Sequence, residues 1–221
     1  MPKITLYGYR EVPYTEKCRR ALVLKKLEFE LVEPAGPEDV RRFSPETGLL
    51  PVMTVDGELV SDSTNILLRL ERIQPEPPLV SSDPTTAALQ RQLEDWADES
   101  FLFYYREWLR VASEGPRAPA PASRPSLWAR LAGRLRAAPA PAAVITPNEP
   151  LRGLEDRLDD LVNFLGQRPF FYSDRVSMAD LTIYGMLVAL ARDVVPGSAA
   201  RVAQRSQLGA FMRRVEEQTG G

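Results

Sequence analysis

The chemistry open to this chain is bounded first by its cysteine and histidine content. Cys18 is the only cysteine, so neither an intrachain disulfide nor a CxxC redox pair can form. The chain has no histidine, which removes the usual base of Ser/His and Cys/His nucleophilic pairs and leaves a zinc site mainly to carboxylates. We therefore expect no metal site, and we expect Cys18 to be a small residue of the core.

A second candidate for chemistry is the pair Asp62–Ser63, which comes just before an apolar helical face. Both side chains are typical helix caps. A helix N-terminus with free N–H groups and a serine hydroxyl can also hold a carboxylate, while an aspartate beside it attracts an ammonium group. The pair is therefore either a simple cap or an anion site next to a cation site.

The elements that would position these residues form a small α/β unit. Residues 3–7 alternate polar and apolar side chains, as in a half-buried strand, and Pro13 suits the first turn of a helix that reaches about Leu27. Asp56-Gly57 supplies the positive φ angles of a hairpin turn. The remaining predicted elements are a strand at 29–32, a short helix at 38–43, hairpin strands at 51–55 and 58–60, and a helix from Ser63 to Ile73. The predicted order is β-α-β-α-β-β-α.

The rest of the chain predicts an all-helical domain. We divide the sequence into a domain at 1–75, a proline-rich linker at 76–84 and a helical domain at 85–221. Ser177 and Asp180 form a capping box, to which we assign a folding role. The predicted helices are 85–111, 151–165, 178–191 and 208–217. A Pro/Ala-rich segment at about 115–147 is interpreted as a variable excursion between two helices or, alternatively, as a partner-binding element.

Charge and hydropathy exclude several classes of partner. The chain has 28 basic and 30 acidic residues, so no global attraction favours nucleic acid or an anionic membrane. No apolar run approaches the ~20 residues needed to cross a bilayer, and the first residues lack the apolar stretch of a secretory signal. We therefore expect a cytoplasmic protein that recognises its partner locally.

Three segments resemble the cytosolic glutathione S-transferase family. Residues 6–9 and 12–19 look like its first strand, loop and first helix, in the style of the omega and zeta classes. Residues 44–52, SPETGLLPV, resemble its Asn-Pro-x-Gly-x-Val-Pro segment, and residues 62–66 match its Glu-Ser-x-x-Ile motif. The resemblance implies a thioredoxin-like domain followed by an all-α domain, and a homodimer.

The resemblance also implies a glutathione site. The Leu50–Pro51 bond would be cis, so that Leu50 turns its main-chain groups toward the cysteinyl part of glutathione like an added strand. Ser63 would hold the γ-glutamyl carboxylate, and Asp62 would attract the ammonium group. Val12 lies where the thiol would be bound.

Val12 departs from the family pattern, because omega-like members carry cysteine and many others serine at this position. A valine cannot donate a hydrogen bond to the glutathione thiolate. Weak replacement candidates are Tyr9 in the loop, Thr15 in the first helical turn and Tyr7, which occupies roughly the place of the catalytic tyrosine of other classes. Each has a structural alternative: Tyr7 as a packing residue, Tyr9 as a loop aromatic and Thr15 as a cap.

A second departure is Leu49, where many relatives carry a lysine for the glycyl carboxylate of glutathione. Arg41 or Arg42 could replace it, or both could lie on a solvated helix face. The leading hypothesis is a transferase that uses glutathione as cosubstrate to attack an electrophilic small molecule or to exchange thiols. The alternatives are a noncatalytic binding or regulatory protein of this fold, and a glutathione-dependent isomerase or peroxidase. Aromatic residues of the long helix would wall the electrophile pocket: Phe101, Phe103, Tyr104, Tyr105 and Trp108.

Overall fold

The computed structural model describes residues 1–114 and 149–220, with side chains described for 1–101 and 153–220. The segment predicted as an excursion at about 115–147 lies outside these ranges. All structural statements below concern the described residues.

The first 73 residues form a four-stranded sheet with three helices, as predicted. The strand order is β2-β1-β3-β4, with β1 parallel to β2 and the other pairs antiparallel. The strands are β1 Ile4–Tyr7, β2 Glu30–Val32, β3 Val52–Val55 and β4 Glu58–Ser61; the helices are α1 Pro13–Leu24, α2 Pro37–Phe43 and α3 Ser63–Ile73. This is the thioredoxin-like β-α-β-α-β-β-α order expected from the sequence.

One helix boundary differs from the prediction. Helix α1 ends at Leu24 rather than near Leu27, because Lys26 has a left-handed φ of 54° and the chain turns back on itself. The amide of Leu27 then donates to the carbonyl of Leu22 at 3.0 Å and closes the helix end. The hairpin turn is as expected, with φ of 52° at Asp56 and 90° at Gly57.

The regular elements described in the second half are all helices, and no strand of the sheet comes from it. Its helices are α4 Pro84–Glu114, α5 Glu149–Leu165, α6 Met178–Ala191, α7 Ser198–Ala203 and α8 Ser206–Gln218. Helix α7 was not predicted, because it is a short helix with no apolar period of its own. The capping box at the start of α6 is confirmed: the amide of Ser177 donates to Asp180 Oδ2 at 2.8 Å.

The two halves meet along α1 and α6. The helices approach so closely that a Cβ added at Gly185 would lie 2.5 Å from the carbonyl oxygen of Pro13, so only glycine fits there. Further along, the buried Arg20 donates to the hydroxyl of Tyr184 at 2.9 Å and stacks 4.9 Å from its ring centre. Helix α1 is therefore held from both sides, by the sheet and by the helical half.

A buried lysine holds the segment between α3 and α4. Lys25 Nζ donates to the carbonyls of Gln74 at 2.6 Å and Pro77 at 2.9 Å, and pairs with Glu71 Oε2 at 2.6 Å.

None of the described helices is long and apolar enough to span a bilayer.

Candidate glutathione site

The sheet register brings the predicted site residues to one edge. Tyr7, Val52 and Ser61 lie side by side on β1, β3 and β4. Gly8 follows Tyr7, Pro51 precedes Val52 and Asp62 follows Ser61, so all three leave the sheet at the same end. Helices α1 and α3 both begin near this edge, at Pro13 and Ser63. Two helix N-termini thus lie near one region, an arrangement suited to anionic groups, although Pro13 itself has no N–H to donate.

The loop before β3 is shaped by its own polar side chains. The hydroxyls of Ser44 and Thr47 lie 2.8 Å apart, and the amide of Leu49 donates to Thr47 Oγ1 at 3.2 Å. The Leu50–Pro51 peptide bond is cis, as predicted. The Leu49 side chain is 65% exposed, so the position that carries lysine in many relatives is open to solvent.

Asp62 is the N-cap of α3. Its Oδ1 accepts hydrogen bonds from the amides of Thr64 and Asn65, each at 3.0 Å. Its φ of 75° lies in the left-handed region, which non-glycine residues rarely occupy. Ser63 follows as the first helical residue and is 6% exposed. The cap is confirmed, and the binding role of both residues stays a prediction.

The thiol end of the predicted site contains Val12, Tyr9 and Thr15. Val12 is half-buried and gives α1 no side-chain cap; its amide donates to the carbonyl of Tyr9 at 3.0 Å. The Tyr9 side chain is 39% exposed. Thr15 is fully buried against Gly8, and its hydroxyl has no hydrogen-bond partner among the described residues. Of these side chains, Tyr9 is the polar one that solvent reaches.

The other residues considered in the sequence analysis have clear surroundings. The Tyr7 ring lies 4.4 Å from the ring of Phe43, which is the packing role proposed as its alternative. Cys18 is fully buried, and burial raises the pKa of its thiol to about 12, which confirms the core interpretation. Arg41 and Arg42 are both exposed on α2, and Arg42 pairs with Asp39 at 2.9 Å.

Sequence reasoning missed a buried polar cluster beneath the start of α3. Lys17 of α1 is fully buried and contacts Glu94 Oε1, Asp98 Oδ2 at 3.3 Å and Thr64 Oγ1 at 3.3 Å. The Thr64 hydroxyl donates to the same Glu94 oxygen at 2.6 Å. The available signal was the i,i+4 pair Glu94 and Asp98 beside the apolar Leu93 and Ala97, which puts two acids on the buried face of α4.

This cluster contains two carboxyl groups, those of Glu94 and Asp98, but only one ammonium group, that of Lys17. Burial lowers the pKa of Lys17, but Asp98 and Glu94 outweigh that effect and leave it above its ordinary value. Burial raises the pKa of Asp98 to about 6, against the attraction of Lys17, and Glu94 raises it further. Asp98 Oδ1 is buried with no partner among the described residues. Lys17 is charged at neutral pH and is shared by two acids.

Comparison with known proteins agrees with this geometry. Residues 6–78, which carry the sheet and the site edge, match the family "Glutathione S-transferase, N-terminal domain". A solved glutathione S-transferase of Methylobacterium radiotolerans, in complex with glutathione sulfonate, superposes with a TM-score of 0.71 and 26% identity. It covers 97% of this chain and 90% of its own. Residues 6–78 are thus similar in sequence to the N-terminal domain of glutathione S-transferases, and the described fold is similar to that of a solved member.

Three further proteins match over part or nearly all of the chain. A zeta-class glutathione S-transferase of Euphorbia esula is 37% identical over 98 residues, which are 41% of this chain and 43% of that protein. A probable maleylacetoacetate isomerase of Caenorhabditis elegans is 28% identical over 41% of this chain and 44% of its own length. A glutathione S-transferase of Methylobacillus flagellatus, with glutathione bound, shares the fold at a TM-score of 0.71 and 22% identity over 98% of this chain and 99% of its own. The matched segments thus span less than half of the curated relatives.

Proposed function

We propose that this protein binds glutathione at the sheet edge and transfers its thiol to an electrophilic small molecule or exchanges thiols with it. The observation that carries the proposal is the row Tyr7–Val52–Ser61, which brings the cis-Pro51 loop and the start of α3 to one place. The match of residues 6–78 to the glutathione S-transferase N-terminal family supports it.

The γ-glutamyl and cysteinyl parts of glutathione have complementary groups in this site. The γ-glutamyl carboxylate is bound by the N-terminus of α3 and Ser63, and the ammonium group by Asp62. The main chain of Leu50 pairs with the cysteinyl part, in the manner of an added strand. The thiol lies beside Val12 at the N-terminus of α1, whose dipole favours the thiolate. Tyr9, exposed in the adjoining loop, is the remaining candidate donor.

The electrophile would lie on the apolar side of this edge. Pro13, Phe101 and Met186 line a narrow apolar hollow between α1, α4 and α6. Phe101 is one of the five aromatic residues predicted to wall such a pocket; the side chains of the other four lie outside the described residues. At about 10 Å³ the hollow is too small to hold a substrate, so it indicates only that the surface between these helices is apolar.

Calorimetric titration with glutathione tests the proposal. Ser63→Ala should weaken binding by ~1–3 kcal/mol if the hydroxyl meets a carboxylate. Ser206→Ala is the matched control, because Ser206 is also the first residue of a helix but lies far along the chain in α8 and is exposed. No detectable binding by the wild type would refute the glutathione assignment. Equal dissociation constants for wild type and Ser63→Ala would leave Ser63 as part of a cap only.

Val12 supports a second candidate, a noncatalytic glutathione-binding or regulatory protein. A valine at this position offers no hydrogen bond to a thiolate, and the Thr15 hydroxyl lies buried against Gly8. The partial match to a probable maleylacetoacetate isomerase makes isomerisation the third activity to assay. Glutathione binding without turnover in conjugation, thiol-transfer and isomerase assays would favour the noncatalytic protein.

We also propose that the protein is a cytoplasmic homodimer. Large apolar side chains are partly exposed on three adjoining elements: Leu59 of β4 at 39%, Leu68 of α3 at 36% and Leu89 of α4 at 38%. Burying them against a second copy would remove apolar surface from water. Sedimentation equilibrium should give a dimer for the wild type and a monomer for Leu68→Glu. A monomeric wild type would contradict the dimer.

A further inference from the structure

Lys17 joins three helices at one buried point. It extends from α1, its side chain is 1% exposed, and it reaches both Glu94 and Asp98 of α4 and the Thr64 hydroxyl of α3. A buried ammonium in such surroundings has few alternative arrangements, because any other position would leave two carboxylates without a counter-charge. The cluster therefore fixes the relative positions of α1, α3 and α4.

The cluster acts on the first turn of α3 through Thr64. The amide of Thr64 donates to Asp62 Oδ1, and its hydroxyl donates to Glu94 Oε1 at 2.6 Å. Thr64 is thus held at its main chain by the N-cap and at its side chain by α4. Because Asp62 and Ser63 immediately precede Thr64 in the chain, these two attachments also set their positions. The Cys18 thiol adds a second contact from α1, lying 3.9 Å from the carbonyl of Ser63.

We propose that Lys17 is a positioning residue for the γ-glutamyl end of glutathione, acting through Glu94 and Thr64 on the N-terminus of α3. The inference rests on the proposed glutathione site and names the groups that hold that site in place. An anion site made of a helix N-terminus and one hydroxyl depends on placement within ~0.5 Å. Lys17 itself is buried and touches no ligand.

The charged groups around Lys17 come from each packed element. Glu94 and Asp98 face it from α4, and Asp62 lies near enough to Asp98 to raise its pKa. Removing Lys17 alone would leave buried carboxylates unpaired and would threaten the fold. The link from the cluster to the site is therefore tested at Thr64, where a single hydroxyl can be removed while the ion pairs of Lys17 with Glu94 and Asp98 remain.

The decisive variants are Thr64→Val, which removes the hydroxyl at constant shape, and Thr64→Ser, which keeps it. Calorimetry with glutathione and with cysteinylglycine, which lacks the γ-glutamyl group, separates site placement from general loosening. Thr64→Val should bind glutathione roughly five- to tenfold more weakly than wild type, since the hydroxyl's hydrogen bonds with Glu94 and Lys17 no longer hold the first turn of α3. Its affinity for cysteinylglycine should be unchanged, and Thr64→Ser should restore glutathione binding to within about twofold.

The role of Lys17 itself is tested in a double variant that removes one positive and one negative charge together. Lys17→Met combined with Glu94→Gln should weaken glutathione to the same degree as Thr64→Val, and adding Thr64→Val should cost nothing more, because all act through one link. Lys17→Arg should retain most of the affinity. If the Lys17 variants do not fold, the Thr64 pair decides alone.

The outcomes separate the two proposals. A wild type that does not bind glutathione refutes the proposed function and this inference together. A wild type that binds glutathione while Thr64→Val keeps its affinity, or loses glutathione and cysteinylglycine equally, overturns only the positioning role.

Discussion

Asp98 gives the protein a predictable dependence of stability on pH. Its carboxyl group is largely buried beside Lys17 and Glu94, and burial raises its pKa to about 6. Because the folded protein holds this proton at pH values where the unfolded chain has lost it, unfolding becomes easier as pH rises. The stabilisation is fully present at pH values below the ordinary aspartate pKa and is lost as pH rises through about 6. Asp98→Asn, which cannot ionise, should remove this dependence.

The magnitude follows from the distance between the two pKa values. With ~3.9 for the unfolded chain and ~1.36 kcal/mol for each pKa unit, the whole effect is ~3 kcal/mol. About 2 kcal/mol of it falls between pH 4.5 and 7.5. The free energy of unfolding of the wild type, measured relative to Asp98→Asn, should therefore fall by about 2 kcal/mol across that interval. The free energies of unfolding of the two proteins also differ by an amount that does not depend on pH, because Asp98→Asn loses its bond to Lys17. This constant amount cancels when the values at pH 4.5 and 7.5 are compared.

Urea unfolding at a series of pH values, followed by far-UV circular dichroism, measures this difference. Asp95→Asn is the matched control, because Asp95 is an exposed carboxylate on the same helix, and its curve should run parallel to that of the wild type. Parallel curves for wild type and Asp98→Asn would refute the effect of burial. A difference that grows with pH in favour of the wild type would mean that attraction to Lys17 outweighs burial.

Two further predictions concern the thiol end of the site and the start of α6. Val12→Cys should put a thiol of lowered pKa at the N-terminus of α1 and raise thiol-transfer rates with glutathione. Val12→Ser should instead raise conjugation rates, because it offers a hydrogen-bond donor to the bound thiolate. Unchanged rates in both variants, with glutathione still bound, would favour the noncatalytic protein. Asp180→Asn should cost ~2–4 kcal/mol of unfolding free energy at pH 8.5, because the Ser177 amide loses its buried acceptor and the helix loses a negative cap. Burial raises the pKa of Asp180 to about 7, which is why that pH is chosen. The matched control is Asp193→Asn, because Asp193 is exposed and its Oδ1 also accepts from two amides, those of Gly197 and Ala199. In urea unfolding this substitution should lower the free energy of unfolding by less than ~1 kcal/mol. Equal losses for the two variants would contradict the importance of burial.

Local signals in the sequence were sufficient for the fold and for the ends of the site. Alternation in residues 3–7, the Asp56-Gly57 turn and the Ser177–Asp180 capping box act over a few residues, so each could be read without knowing the rest of the chain. The same holds for the cap at Asp62, whereas the cis bond before Pro51 was expected from the resemblance of residues 44–52 to the glutathione S-transferase family. The end of α1 was placed three residues too late, because Lys26 carries no sequence signal for its positive φ.

The tertiary structure decided which residues from distant parts of the chain come into contact. The sequence contains Lys17, Thr64 and Glu94 at separations of tens of residues, and no local pattern around Lys17 or Thr64 predicts that they meet. Only the packing of α1, α3 and α4 makes Lys17 a buried ion shared by two carboxylates and makes Thr64 a link between the candidate site and the helical half. Packing likewise decided that Thr15 is enclosed beside Gly8 while Tyr9 is exposed. Burial and charge pairing depend on neighbours that are distant in sequence, whereas caps and turns depend on adjacent residues.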